Sequence, residues 1–449
     1  MNMLDYPDTK FLDCAPGATD RLAACFKQAF PGAAALVVAD PNTWKAAGEC
    51  VNAALAAGGV PVCRPYVFAA PPVERSRFVE ETRKAIVAAD AEAAALAPGA
   101  KAIAVAVGSG SINDLCKRAS FEAGRQYVCF ATAASVDGFA SFGAPITDDA
   151  GFKITRECPA PLAIFAEPAV LGAAPAFLAS SGYGDLLGKI PAGADWLVAA
   201  ETTGKDSIHA QAWQLVQPPL ERWLASPDKV AAGDPAAVAG LFEGLVASGF
   251  AMQVARASRP ASGTEHHFSH TWEMGGLTLP DGSEPTHGHK VALGSVCSDA
   301  ATRALFARDF TEADIPAALA AYPTWERREA EIRAQAPDSP RMQEALLAEC
   351  RAKHLEGAAL RERLEFFAAR WSDLREKAIG QLDRMPDLAA RLARAGCPVR
   401  PEDLNVTAAS IRAMVPRVQM IRRRYTALDV AFETGRLAEV AAAVERRFA

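Results

Sequence analysis

The sequence predicts an α/β domain built on a parallel sheet, followed by an all-α domain, with the active site in the cleft between them. Three observations carry this. The first ~165 residues alternate strand-like and helix-like segments, which argues for parallel strands covered on both faces. A glycine loop sits where one buried strand gives way to a helix. From about Ala173 the pattern turns helical and stays so to the end, rich in Ala, Leu, Glu and Arg. The division falls at residues 1–170 and 171–449.

Residues 34–39 (AALVVA) form a short apolar run ending at Asp40-Pro41, and read as a strand. A helical pattern runs from Thr43 to Ala57. Residues 60–68 (VPVCRPYVF) read as a strand and 73–93 as a charged amphipathic helix. Residues 102–107 (AIAVAV) lack polar alternation, as a fully buried strand does. A helix follows, then a strand at 127–131. Residues 136–165 are rich in Gly, Pro and Asp and read as a hairpin excursion, closed by a last strand in LAIFAEP. Residues 326–375 are very highly charged, as a solvated helical hairpin or an oligomer contact would be.

Composition narrows the function classes. The 449 residues carry a net charge of −6, so electrostatics gives no reason to expect nucleic acid or an anionic membrane as partner. The ten cysteines are scattered without CxxC spacing, which speaks against a zinc ribbon or redox pair and for buried thiols in a reducing cytoplasm. The N-terminal MNMLDYPDTKF lacks the basic and apolar regions of a signal peptide. No apolar stretch is read as approaching the ~20 residues that cross a bilayer. A cytoplasmic enzyme is expected.

The strand AIAVAV runs into Gly108-Ser109-Gly110-Ser111-Ile112-Asn113-Asp114, where a helix begins. Glycines admit a close backbone approach, and a helix N-terminus offers unpaired N–H groups to a phosphate. A plain tight turn is the alternative. Asp40 ends the first strand, where carboxyl ends of parallel strands face a ligand crevice. There it either accepts hydrogen bonds from an adenosine or caps the next helix.

Five of the seven histidines lie between 266 and 289: His266, His267, His270, His287 and His289. If SGTEHHFSHTWEM and EPTHGHKVALG each start a helix, one imidazole from each can converge on a divalent cation, with a carboxylate completing the set. His266 and His270 are four apart and share a helix face. Asp185, in SGYGDLLGK, is the candidate carboxylate; the alternative is a first-turn Asp favoured by the helix dipole.

Taken together, GSGSIND, TAASVDGFASFGAP, SGYGDLLGK, RPASGTEHHFSH and THGHKVALG resemble the sn-glycerol-1-phosphate dehydrogenase family, in particular its bacterial branch. That family sits among the iron-containing alcohol dehydrogenases, glycerol dehydrogenases and dehydroquinate synthases, and the resemblance covers roughly residues 34–300. It implies a Rossmann-like first domain that binds NAD(P)H. Asp40 would lie near the adenosine, Gly108 and Gly110 to Asp114 would hold the pyrophosphate, and Thr132, Ala133, Ala134, Ser135 and Ser141 would line the dinucleotide. It implies Asp185, His266 and His287 as ligands of one divalent metal (Zn, Ni or Fe). His270 and Asp137 would be the catalytic, substrate-binding residues, with Asp185 also facing substrate. Asn113 departs from the family's usual loop. The implied reaction is reduction of dihydroxyacetone phosphate to sn-glycerol 1-phosphate by a homodimer. The competing readings are a related dehydrogenase of another polyol or polyol phosphate, a dehydroquinate synthase-like cyclase, and a non-catalytic binding protein. Lys153, Lys189 and Lys290 are the candidates for the substrate phosphate.

Overall fold

The computed structural model describes residues 3–149 and 153–449. The chain divides into two compact units. One comprises residues up to Leu186 with Gln214–Ala257 and Arg394–Gly396; the other comprises Leu187–Trp213, Ser258–Ala393 and Cys397–Ala449. The chain thus passes back and forth, whereas a composition shift yields a single line near residue 170.

The first unit carries a six-stranded sheet in the order β1-β8-β5-β4-β2-β3. The strands are β1 (Phe11–Asp13), β2 (Ala34–Ala39), β3 (Tyr66–Val67), β4 (Ala102–Gly108), β5 (Val128–Ala131) and β8 (Ala163–Ala166). Every neighbouring pair is parallel. β6 (Ala144–Thr147) and β7 (Lys153–Arg156) form the expected separate antiparallel hairpin. Helices α1 (Ala18–Ala29), α2 (Glu49–Ala57), α3 (Ser76–Leu96) and α4 (Gly110–Glu122) connect the strands. Alternate residues Ala35, Val37, Ala39, Ile103, Val105 and Val107 share one core with Leu22 and Phe26 of α1 and Val51 and Leu55 of α2. That period of two is the strand signature, and full burial of β2 and β4 explains their unbroken apolar runs.

The strand expected at 60–68 is reduced to two residues at β3 and one isolated bridge, Ala35–Val62. Pro61 and Pro65 have no N–H to give a ladder. β1 and α1 are additional to the elements expected from the sequence.

The remaining helices that matter for the site are α5 (Ala176–Leu187), α6 (Lys189–Thr203), α7 (Pro235–Ala255), α8 (Thr264–Met274) and α9 (His287–Phe306). α7 belongs to the first unit: Gln253 binds the backbone of Asp8, Thr9 and Ala140. α7 also corrects the sequence reading of membrane spans. By length and hydropathy it is apolar enough to cross a bilayer, yet 72% of its apolar window is buried inside the fold. Cys25, Cys63, Cys116, Cys129, Cys158, Cys297, Cys350 and Cys397 are buried free thiols, while Cys50 is exposed.

Candidate metal and dinucleotide sites

In the second unit, α8 and α9 both start where the two histidine motifs begin. They cross very closely. A Cβ on Gly294 of α9 would lie 2.4 Å from the carbonyl oxygen of Glu265 on α8, so only glycine permits this approach. Gly263 does the same at the start of α8, where a Cβ would lie 2.6 Å from Asp195. The result is an imidazole cluster: ring centroids are 5.2 Å apart for His266 and His287, and 6.1 Å for His266 and His270.

Carboxylates orient these rings. His266 Nδ1 lies 2.7 Å from Glu265 Oε1, and His287 Nδ1 lies 3.2 Å from Glu273 Oε1. Each ring therefore offers Nε2 as its ligand atom, with the opposite nitrogen held by a carboxylate, as metal-binding histidines do. Asp185 lies nine residues into α5, so the first-turn alternative for it does not hold. It is fully buried, and its Oδ2 accepts the amide of Asp137 at 2.9 Å. Asp185 belongs to the first unit, while His266 and His287 both belong to the second. An aspartate oxygen and two neutral imidazoles fit a divalent transition metal.

Burial tunes the surrounding groups. It pushes the Glu265 carboxyl up to about 7 and His270 down to about 4, and holds His267 well below the usual imidazole range. His267, although in the cluster by sequence, is buried with neither ring nitrogen partnered. His270 is half-buried and pairs with Glu273. Asp137 accepts a hydrogen bond from Ser248 at 2.9 Å.

In the first unit, β4 ends in Gly108, whose absent Cβ lets Ile112 pack 2.5 Å from where it would stand. Ser109 precedes α4 but makes no side-chain cap; its hydroxyl bonds Ser135 instead. The first amides of α4 are thus left to other acceptors, the arrangement a phosphate needs. Ser111 donates to Glu74. The side chains of Asn113 and Asp114 are engaged within the fold. Asn113 Oδ1 accepts from Tyr127 at 2.8 Å, and Asp114 pairs with buried Lys117 at 3.1 Å. Lys117 in turn donates to the carbonyls of Gly138 and Gly143, holding the loop that carries Asp137 and Ser141. Ile112, Ala133 and Ala134 are likewise buried, so their side chains build the fold. Thr132 is tied to β4 through Gly108, and α5 presses on Ala134 so closely that a Cβ on Gly182 would lie 2.0 Å from its oxygen. Asp40 realises its capping alternative: Oδ1 accepts from the amides of Asn42 and Thr43.

Glu265, Glu273 and Lys290 were not anticipated as an orienting shell. Lys290 Nζ sits 3.1 Å from Glu273 and is buried, as is Lys189. The Lys153 side chain lies outside the described residues.

The family described as iron-containing alcohol dehydrogenase matches residues 13–175. Glycerol-1-phosphate dehydrogenase (NAD(P)+) of Thermococcus kodakarensis is 31% identical over 263 residues, 58% of this chain and 69% of that protein. The chain belongs to the glycerol-1-phosphate dehydrogenase family. The enzyme of the same name from Halalkalibacterium halodurans is 35% identical over 263 residues, 58% of this chain and 62% of its own length. That from Bacillus velezensis is 35% identical over 59% of this chain and 64% of its own length. The chain therefore spans less than two thirds of these two relatives. Among solved structures, a probable glycerol dehydrogenase from Sinorhizobium meliloti superposes with a TM-score of 0.59 at 17% identity, covering 99% of each chain. Glycerol dehydrogenase from Schizosaccharomyces pombe does so at 0.57 and 16%, covering 100% of this chain and 91% of the other. These two establish the fold alone.

Proposed function

We propose that this member of the glycerol-1-phosphate dehydrogenase family is an NAD(P)-dependent, metal-dependent oxidoreductase that reduces dihydroxyacetone phosphate to sn-glycerol 1-phosphate. The observation that carries it is the close pair of imidazoles, His266 and His287, each held through Nδ1 by a carboxylate, Glu265 or Glu273; Asp185 is the third ligand in this reading. A divalent cation held by these residues would supply Lewis acidity toward the substrate oxygen, and a bound NAD(P)H would supply the hydride.

The chain's own residues do the rest. The first amides of α4, at Gly110 and Ser111, would hold the pyrophosphate. Thr132, Ser135 and Ser141 border the same loop region. Asp137, fixed by Ser248, accepts a hydrogen bond from a substrate hydroxyl. His270, neutral by burial, presents Nε2 to the reacting oxygen. It takes the hydroxyl proton during oxidation and returns it during reduction, and Glu273 stabilises the transient imidazolium.

The test is NADH and NADPH oxidation with dihydroxyacetone phosphate on protein reconstituted with Zn, Ni or Fe, with chiral analysis of the product. Formation of sn-glycerol 1-phosphate is expected. Turnover of glycerol alone supports the polyol dehydrogenase instead, and product formation without net NADH consumption supports the cyclase.

A further inference from the structure

One carboxylate in the helical unit faces two imidazoles that have different jobs. Glu273 stands in the last turn of α8, its side chain 10% exposed. Its Oε2 lies 3.1 Å from His270 Nδ1, and its Oε1 lies 3.2 Å from His287 Nδ1 and 3.1 Å from Lys290 Nζ. A carboxylate beside an ammonium group carries no proton to give, so each facing ring nitrogen must be the donor. Both rings are then Nδ1–H tautomers with the Nε2 lone pair directed away from Glu273. His287 needs that lone pair for a metal. His270 needs it for a substrate proton. The two ring centroids are 6.0 Å apart, so one rigid group spans both.

We propose that Glu273 is a positioning residue that fixes the tautomer and orientation of His270 and His287 together, using one oxygen for each. The proposal rests on the metal and proton-transfer roles assigned above to those two histidines. It has a chemical consequence that a merely structural Glu273 lacks. Glutamine has the same shape but only one acceptor oxygen, so it cannot accept from both rings. Lys290 decides which ring is served, because its ammonium group attracts the amide oxygen and repels the amide NH2. The oxygen therefore stays on the His287 side, and the NH2 turns to His270 Nδ1. That nitrogen must then accept, which forces His270 into the Nε2–H form.

Three measurements on full-length protein test this: Zn2+ affinity by chelator competition, histidine tautomers by 15N NMR of the zinc-loaded protein, and turnover. Glu273→Gln is expected to keep wild-type zinc affinity, to show His270 as the Nε2–H tautomer, and to lose about 100-fold in kcat. Glu273→Ala is expected to weaken zinc binding by about 10- to 100-fold, because His287 loses its orienting partner. Wild-type zinc affinity in Glu273→Ala overturns the proposal. So does an unchanged His270 tautomer in Glu273→Gln, or a zinc loss in Glu273→Gln as large as in Glu273→Ala. Affinity and tautomer are read without substrate. Inactivity of the wild type on dihydroxyacetone phosphate would therefore overturn the proposed reaction and leave this assignment to stand or fall on its own data.

Discussion

Asp137 is held from two sides: its carboxylate accepts from Ser248, and its amide donates to Asp185. Only the carboxylate is changed by Asp137→Asn, so the bond to Asp185 survives. The variant is expected to keep metal and cofactor binding and to lose about 100- to 10,000-fold in turnover. Metal analysis beside kcat checks it; stoichiometric metal loss, or near-normal turnover, assigns Asp137 otherwise. At this scale the sequence spoke unevenly. The histidines were legible because they are few and crowded into one short window. Glu265 and Glu273 were not, since a glutamate in a helix ordinarily faces water, and only the crossing of α8 and α9 puts these two against imidazoles. The partners of Asn113 and Asp114 were hidden for a related reason. Polar residues at a helix start look outward, but buried Lys117 and Tyr127 draw them in.

The elements divide by what their glycines touch. A Cβ on Gly110 would meet only Val136, at 3.4 Å, an ordinary contact. A Cβ on Gly182 would meet the backbone of Ala134 at 2.0 Å, where nothing flexible can yield. Gly110→Val should therefore fold normally, keep its metal, and raise the Kd for NADH by filling the space over the first amides of α4. Gly182→Ala should lower the Tm as well, because α5 must move off the 132–135 segment. Titration calorimetry and thermal melts of both variants separate the effects; unchanged NADH affinity in Gly110→Val removes the pyrophosphate from this loop. Strands β2, β4, β5 and β8 were legible because complete burial leaves unbroken apolar runs, while β3 was overestimated where prolines interrupt the ladder.

For the whole molecule, the chain's returns between its two units defeated any single boundary. α7 reads from composition as one more member of a helical domain, yet Gln253 and Gly249 dock it on the N-terminal segment and on Ala140. A second property is the response to pH, to which buried groups of the helical unit contribute. Burial holds His270 and His289 down to about 4, and pushes Glu265 and Glu433 up to about 7. These act in opposite senses. Between pH 4 and 6.5 an unfolded histidine binds a proton that the folded one refuses, so each such histidine makes stability fall as pH falls. Over the same range a buried glutamate holds a proton that its unfolded form has released, so each makes stability fall as pH rises. The two kinds of group offset one another in part, and removing one histidine should unmask the acids. His289→Gln deletes one proton taken up on unfolding. Relative to wild type, its unfolding free energy should rise as pH is lowered from 6.5 to 4, by up to about 1.4 kcal/mol per pH unit. Lost packing adds only a constant offset to this difference. Guanidinium unfolding of metal-free protein at several pH values measures the slope. A difference between variant and wild type that stays constant with pH would show that His289 titrates alike in the folded and unfolded chain.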